Sequence, residues 1–285
     1  MCRVSLYIPC YNAEKYLDRV LQAVMGQTHP PEEVLVVDDG STDRTAALAE
    51  SYGAPGRLPL RVVRHGGNHG LASARNTGVL EARFDLIAAI DSDVAPEPGW
   101  LAALCEEMTP EVSGVGGELQ EYYQATLPDR WRANHMLQRR GPERIYRPPF
   151  IWGSNSLFRR EAILAAGLYN LKCRTNAEDV KLCELIRDSH VLVYTPKATC
   201  MHLRRDSLRS LMRNYWKWYY YGSFKTPSFR ETWASNWRHI KRTWQGFGQD
   251  VARRDPALAA LSLAMIPYTC ARDWLDLCKR QRETC

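Results

Sequence analysis

Val34-Leu35-Val36-Val37-Asp38-Asp39-Gly40-Ser41-Thr42-Asp43 sets four apolar residues directly against two carboxylates, a glycine and three residues that cap helices well. The apolar run predicts a buried strand, and the polar run a turn leading into a helix. The same unit recurs on either side. Val4–Ile8 is an apolar run ending in Pro9-Cys10-Tyr11-Asn12, and Leu86–Ile90 is another, ending in Asp91-Ser92-Asp93. Leu60–Val63 makes a further strand, while helical spacing covers Ala13–Met25, Arg44–Tyr52, Ala72–Ala82 and Trp100–Met108. Alternating strands and helices of this kind predict an α/β fold with a doubly wound, mostly parallel sheet. Such sheets bind ligands beyond the carboxyl ends of their strands, where these polar segments fall.

From about Val112 the alternation stops, and Pro128, Pro142, Pro148 and Pro149 interrupt the pattern. Loops, short helices and an added antiparallel strand or two are expected there. Helical spacing returns at Arg160–Ala166, Asp179–Asp188 and Ser207–Tyr221. The apolar stretch Pro256–Cys270 contains Pro267 and falls short of the roughly 20 residues that span a bilayer, so it reads as a core or interfacial helix. Nine scattered cysteines without a CxxC pair predict mostly reduced, partly buried thiols rather than a zinc site. The apolar start is too short for a signal peptide, which sets the expectation of a cytoplasmic protein.

The net charge of +6 hides an asymmetry. Residues 201–285 carry sixteen Lys/Arg against seven Asp/Glu and six of the nine tryptophans, whereas residues 1–200 are mildly acidic. A basic aromatic segment has two readings: a solvated face with anchoring aromatics, or contact with an anionic partner such as the inner membrane surface or a phosphorylated acceptor. No recognition motif supports nucleic acid, and tail-mediated packing or a homodimer is the competing use of the same surface.

Asp38 and Asp39 follow a buried strand, where like charges repel unless one meets a donor or a cation. A carboxylate there can accept a pyrimidine N–H while Tyr11 packs beside the base. Asn68-His69-Gly70-Leu71-Ala72-Ser73-Ala74-Arg75-Asn76-Thr77-Gly78 opens a helix behind Gly66 and Gly67, a setting in which backbone and helix N-terminus favour phosphate. Arg75, one turn in, reads as a ligand of the donor's diphosphate or as a brace for the acidic loop, with an ordinary surface ion pair as the alternative. Asp91 and Asp93, two apart around Ser92 at a strand end, can approach one hard divalent ion and leave positions open for diphosphate oxygens.

Together PCYNAEKYL, VVDDGSTD, NHGLASARNTG and DSD, in this order, resemble a family 2 glycosyltransferase of the GT-A fold, over roughly residues 4–205. That resemblance implies a nucleotide-sugar-binding half over 1–111, a mixed acceptor and catalytic half over 112–205, and a helical C-terminal segment over 206–285. It implies an inverting transferase that moves a sugar from a nucleotide-diphosphate sugar, UDP-linked by preference, with Mg²⁺ or Mn²⁺ as cofactor. The acceptor would be a glycan, a lipid-linked sugar or a protein, as in surface polysaccharide synthesis.

Carried over residue by residue, Pro9, Tyr11 and Asp39 would form the base pocket, with Asn12, Glu14 and Asp38 nearby. Asn68, Arg75, Ser92 and Arg204 join the donor site. Asp93 would be the principal metal ligand and Asp91 would assist it or contact the ribose. Trp152-Gly153-Ser154-Asn155-Ser156-Leu157-Phe158-Arg159-Arg160 is similar to the segment that borders the donor sugar, so Trp152 and Gly153 are included. Asn176-Ala177-Glu178-Asp179 resembles the motif whose aspartate is the catalytic base, which makes Asp179 the base and Glu178 its partner; favouring a helix dipole is the plainer reading of that pair. His202 falls where relatives often carry a histidine near the metal or diphosphate, with a structural histidine as the plainer reading.

Two departures concern the acceptor side: Asn170 where an acidic residue is common, and Lys181 two positions after the base. Other classes fit less well. DSDVA matches a phosphatase signature but lies on the fourth strand instead of the first, no GxGxxG follows the first strand, and a non-catalytic sugar-nucleotide-binding module would need broken motifs.

Overall fold

β1 (Val4–Cys10) is buried along its whole length because both faces of the sheet around it are covered. Alternate side chains go to opposite faces: Val4, Leu6, Ile8 and Cys10 join one apolar cluster, and Tyr7 joins the other. The computed structural model describes residues 2–54, 57–173, 176–221 and 228–283. Parallel pairing ties β1 to β2 (Glu33–Asp38) on one side and to β4 (Leu86–Ile90) on the other, and β3 (Leu60–Arg64) extends the sheet beyond β2. These four strands match the expected runs to within two residues at their ends.

The connecting helices are α1 (Glu14–Met25), α2 (Thr45–Tyr52) and α3 (Leu71–Glu81). α1 buries Leu17, Val20, Leu21 and Val24, the 3.6-residue spacing that marked it in sequence. Gly78 lets α3 lie on the sheet, since a Cβ there would come within 2.5 Å of the Tyr7 ring. After β4 come β5 (Val94–Pro96) and α4 (Trp100–Glu106).

The second half of the sheet is more regular than its sequence implies. β6 (Val112–Glu121) runs for ten residues, and β8 (Asn155–Arg159) pairs antiparallel with both β4 and β6. β9 (Val191–His202) runs parallel to β6, antiparallel to β5 and antiparallel to the short β7 (Ile145–Tyr146). The strand order is β3-β2-β1-β4-β8-β6-β9-β5, with β7 beside β9. Glycines obscured β6: a Cβ at Gly114 would meet Phe158 at 2.6 Å, and one at Gly117 would meet the Ala198 carbonyl oxygen at 2.0 Å. Close backbone approach, not a loop, requires them. α6 (Arg160–Ala165) and α7 (Glu178–Ile186) complete this half.

Among the described residues the chain divides into two compact units, Met1–Tyr122 with Gln138–Arg204, and Tyr123–Leu137 with Arg205–Cys285. The second holds α5 (Leu127–His135), α8 (Leu208–Tyr221), α9 (Phe229–Ala252) and α10 (Pro256–Glu283). Pro128, which reads in sequence as an interruption, sits in the first turn of α5, where a missing N–H costs nothing. α10 runs well beyond the expected Cys270 and accommodates Pro267 inside it. None of these helices is long and apolar enough to cross a membrane among the described residues. Cys2 and Cys105 form a disulfide between the start of the chain and α4, while Cys10, Cys173, Cys183, Cys200, Cys270 and Cys278 are free.

Candidate functional site

The polar segments expected at the strand ends meet at the carboxyl edge of the sheet. At the end of β1, Pro9 is buried and Tyr11 is 50% exposed, so the ring has an open face. Asn12 adopts φ 50° and binds the neighbouring loop from both of its polar ends: its N–H donates to Ser41 Oγ at 2.9 Å, and its Oδ1 accepts from Thr42 N at 2.9 Å. Glu14 pairs with Arg44 and accepts from its backbone N–H. That pairing lowers its pKa.

Asp38 and Asp39 are both buried, and each has separate donors that relieve their repulsion. Asp38 Oδ1 accepts from Ser41 N at 3.1 Å. Asp39 accepts from the backbone N–H groups of His69 (3.0 Å) and Gly70 (2.8 Å), and His65 Nδ1 lies 2.7 Å from its Oδ1. The glycine-rich loop around the exposed Asn68 is therefore drawn onto the β2 end by the Asp39 carboxylate. His65, at the end of β3, is a part of this arrangement that sequence reasoning missed, because a lone histidine beyond a strand carries no signal of its partner.

Arg75 is the second centre. Its side chain is 1% exposed and engages three groups of the protein. Nε donates to Glu178 Oε1 at 3.1 Å, one terminal nitrogen to the Gly153 carbonyl at 2.7 Å, and the other to Asp91 Oδ1 at 2.8 Å. Burial alone would lower its pKa, but Asp91 and Glu178 outweigh burial and raise it. Gly153 makes room, since a Cβ would lie 3.0 Å from the guanidinium carbon.

Asp179 is adjacent. Its Oδ2 accepts the Gly153 N–H at 3.0 Å and its Oδ1 accepts from Val180 N at 2.7 Å, and the side chain is half-buried. Glu178 is 3% exposed, and one of its oxygens has no partner. Burial, then the Asp179 charge, push its pKa up to about 7. Ala177, which precedes this helix, has φ 67°, a left-handed backbone in a non-glycine residue at a functional loop. Two buried tyrosines complete the surroundings: Tyr7 and Tyr169 hydroxyls are 3.1 Å apart, and Asn76 exchanges two hydrogen bonds with the Tyr169 backbone, at 2.9 and 2.8 Å. Tyr7, Asn76 and Tyr169 were not expected from sequence; Asn76 stands within a quoted motif, but its partner is 93 residues away.

Asp91, Ser92 and Asp93 are half-buried beyond β4. Burial raises the pKa of Asp91, with Arg75 opposing. His202, at the end of β9, presents Nε2 to Asp93 Oδ2 at 3.4 Å and Nδ1 to Glu121 at 3.0 Å. Burial works against its charged form, yet Asp93 and Glu121 prevail and raise its pKa to about 9. Among the described residues no three His, Cys, Asp or Glu come together in a group that could hold a metal ion. Mg²⁺ and Mn²⁺ of the substrate-bridging kind need no such group, because one or two protein ligands plus phosphate oxygens and water suffice. The Asp93–His202 pair, with Asp91 on the same strand end, fits that requirement. Binding would displace the His202 proton.

Trp152 is nearly buried and packs edge-on against Phe150 and Tyr194 with Arg140 over its ring, so this segment reaches the site through the Gly153 backbone. Arg204 is half-buried beyond β9. Asn170 and Lys181 have local roles: Asn170 Oδ1 accepts from Lys172 N in a turn, and Lys181 pairs with Glu184.

Comparisons with known proteins bear on the family and the fold. Residues 5–165 match the profile of glycosyl transferase family 2. The uncharacterized glycosyltransferase EpsJ of Bacillus subtilis is 31% identical over 64% of this chain and 58% of its own length. The pre-mycofactocin glycosyltransferase of Mycobacterium tuberculosis is 31% identical over 72% of this chain and 44% of its own. The chain thus spans less than two thirds of these relatives. The mannosyltransferase PcManGT of Pyrobaculum calidifontis, solved with GDP-Man and Mn²⁺, superposes with a TM-score of 0.65 over 96% of this chain and 87% of its own at 16% identity. S. aureus TarS 1-349 with UDP-GlcNAc gives 0.56 over 76% and 66% at 19% identity. At such identities the likeness shows the fold.

Proposed function

The chain belongs to glycosyl transferase family 2, and from that premise we propose an inverting transferase that moves a sugar from a nucleotide-diphosphate sugar to an acceptor hydroxyl with Mg²⁺ or Mn²⁺. The observation that carries this reading is the link from Asp179 through Gly153 and Arg75 to Asp91. It ties the carboxylate suited to be a base to the strand end suited to hold a diphosphate.

Tyr11 offers its exposed face to the base and Asp39 stands behind it, with its carboxylate already oriented by the 68–70 loop. UDP is favoured as carrier, because a pyrimidine N–H matches a carboxylate acceptor. Asp93 and His202 would hold the divalent ion, with Asp91 assisting, and the ion would neutralise charge gathering on the departing diphosphate. Asp179 takes the proton of the acceptor hydroxyl as that oxygen bonds to the anomeric carbon from the face opposite the diphosphate. The bond from anomeric carbon to phosphate oxygen breaks, the nucleoside diphosphate leaves with the electron pair, and the configuration inverts. Glu178, whose pKa burial and the Asp179 charge push up to about 7, holds the base loop to Arg75 and carries less negative charge beside the incoming hydroxyl than an ordinary carboxylate would. The acceptor is a glycan or lipid-linked hydroxyl, a class supported by EpsJ-like relatives only through their shared family.

The test is Asp179→Asn. Transfer should fall by about 10³-fold or more while titration with UDP-sugar and Mn²⁺ gives a dissociation constant close to wild type. Loss of donor binding in that variant would make Asp179 a structural residue. Failure of any nucleotide-diphosphate sugar to bind the wild-type chain, with or without Mg²⁺ or Mn²⁺, would remove the reading altogether.

A further inference from the structure

α9 is built inside out. The seven residues it buries are all polar or glycine, from Thr232 and Asn236 through His239 to Asp250. Its outward face carries Phe229, Trp233, Trp237, Trp244 and Val251, each between 54% and 66% exposed. At 3.6 residues per turn these five fall within an arc of about 80°, a single stripe along the helix. A helix of a water-soluble domain turns its apolar stripe to the core, so an exposed stripe this long marks an interaction surface. Asp250 anchors the polar face within the same unit: it accepts from Ser262 Oγ at 2.7 Å and lies 2.8 Å from His135 Nε2, while His239 Nε2 lies 3.5 Å from Asp273 Oδ2 of α10. α10 widens the stripe through Trp274, whose ring centre is 5.1 Å from that of Phe229 and 6.5 Å from that of Trp233.

The chemistry of the rim identifies the occupant. Arg230, Arg238 and Lys241 are exposed on the same helix, in a segment with sixteen Lys/Arg against seven Asp/Glu. A second copy of this chain would set these cations against their own kind. Tryptophan rings with flanking cations instead match the boundary between water and an anionic bilayer, where indole prefers to sit and each Lys or Arg gains from the lipid charge. We propose that the aromatic face of α9, extended by Trp274, docks this protein on an anionic membrane, lying in the plane of the interface.

The stripe belongs to the second compact unit and the donor residues to the first, and its test leaves the transferase reading to stand or fall independently. Full-length protein is sedimented with phosphatidylcholine vesicles containing about one-third phosphatidylglycerol, and UDP-sugar binding is measured on the same preparation. Wild-type protein should pellet with these vesicles, less at high salt, and should stay in solution with phosphatidylcholine alone. The triple variant Trp233→Ser, Trp237→Ser, Trp244→Ser alters exposed side chains only; its partition should fall by about tenfold or more with donor binding unchanged. Arg238→Glu with Lys241→Glu should weaken partition onto the anionic vesicles several-fold. Brominated lipid should quench the wild-type tryptophan emission, a readout that needs no variant. The proposal is overturned if wild-type protein ignores anionic vesicles, if brominated lipid fails to quench, or if the triple variant partitions like wild type. A wild-type dimer that the triple variant converts to monomer, with neither form binding vesicles, would assign the face to a second copy. Loss of UDP-sugar binding with vesicle binding intact would remove the transferase reading and leave this one standing.

Discussion

Arg75 shows how one residue can join two halves of a site. Its guanidinium meets Asp91, Glu178 and the Gly153 carbonyl at once, and no ammonium could satisfy three acceptors in that fork. Arg75→Met should therefore leave the half-buried Asp91 without its cation and the buried Glu178 without its donor, and cost about 3 kcal/mol or more in a denaturant titration, with transfer lost as well. Gly153→Ala works on the same contact from the other side, since the new methyl would press on the guanidinium; transfer should fall severalfold in a steady-state assay, with a smaller loss of stability. The arginine was legible in the sequence as a member of its motif, but its role was open among diphosphate contact, brace and surface pair. The deciding partner, Glu178, lies 103 positions away.

At the scale of elements, the loop from Asp38 to Asp43 is shaped by backbone as much as by charge. Gly40 has φ 75°, and a Cβ on it would come within 2.5 Å of the Gly67 carbonyl carbon, so the two glycine-bearing loops interlock only without side chains. Gly40→Ala should cost at least about 2 kcal/mol of stability by chemical denaturation, combining left-handed strain with the clash, and should weaken nucleotide binding by moving the Asp39 loop. The first four strands were legible because each is a β-branched run bounded by turn residues. β6 was not: its glycines read as loop, whereas they admit Phe158, Ile151 and the Ala198 carbonyl in a tightly packed strand. The polar inner face of α9 was equally hidden, because periodicity locates an apolar stripe without saying which way it turns.

For the whole molecule, the proton on Glu178 links the site to global stability. Its folded pKa of about 7 stands above the ordinary 4.5, so the folded state keeps a proton that the unfolded chain has already released. The contribution is fully present below about pH 4.5 and is lost as pH rises through 7. Glu178→Gln keeps an acceptor for Arg75 and removes the titration. Its melting temperature should accordingly gain on wild type as pH rises from 5 to 8, by the equivalent of about 2–3 kcal/mol. Parallel melting curves across that range check it; a constant difference would mean that Glu178 stays ionised in the folded protein. The charge asymmetry was also visible in the sequence, and the two compact units show where it resides, with 123–137 joining the basic helices after a departure from the sheet.

The sequence by itself determined the α/β alternation, the strand ends that carry Asp39, Asp91 and Asp93, and the Glu178-Asp179 pair, because each is encoded within a few adjacent residues. Only the tertiary structure showed that Arg75 meets Asp91, Gly153 and Glu178 together, that Glu14 turns to Arg44, that Tyr7 and Tyr169 lie beneath the site, and that α9 faces its tryptophans outward. The physical reason is common to all four. Pairing of buried charges and the direction of an amphipathic face depend on which distant segments share the space, and local pattern carries no information about that partner.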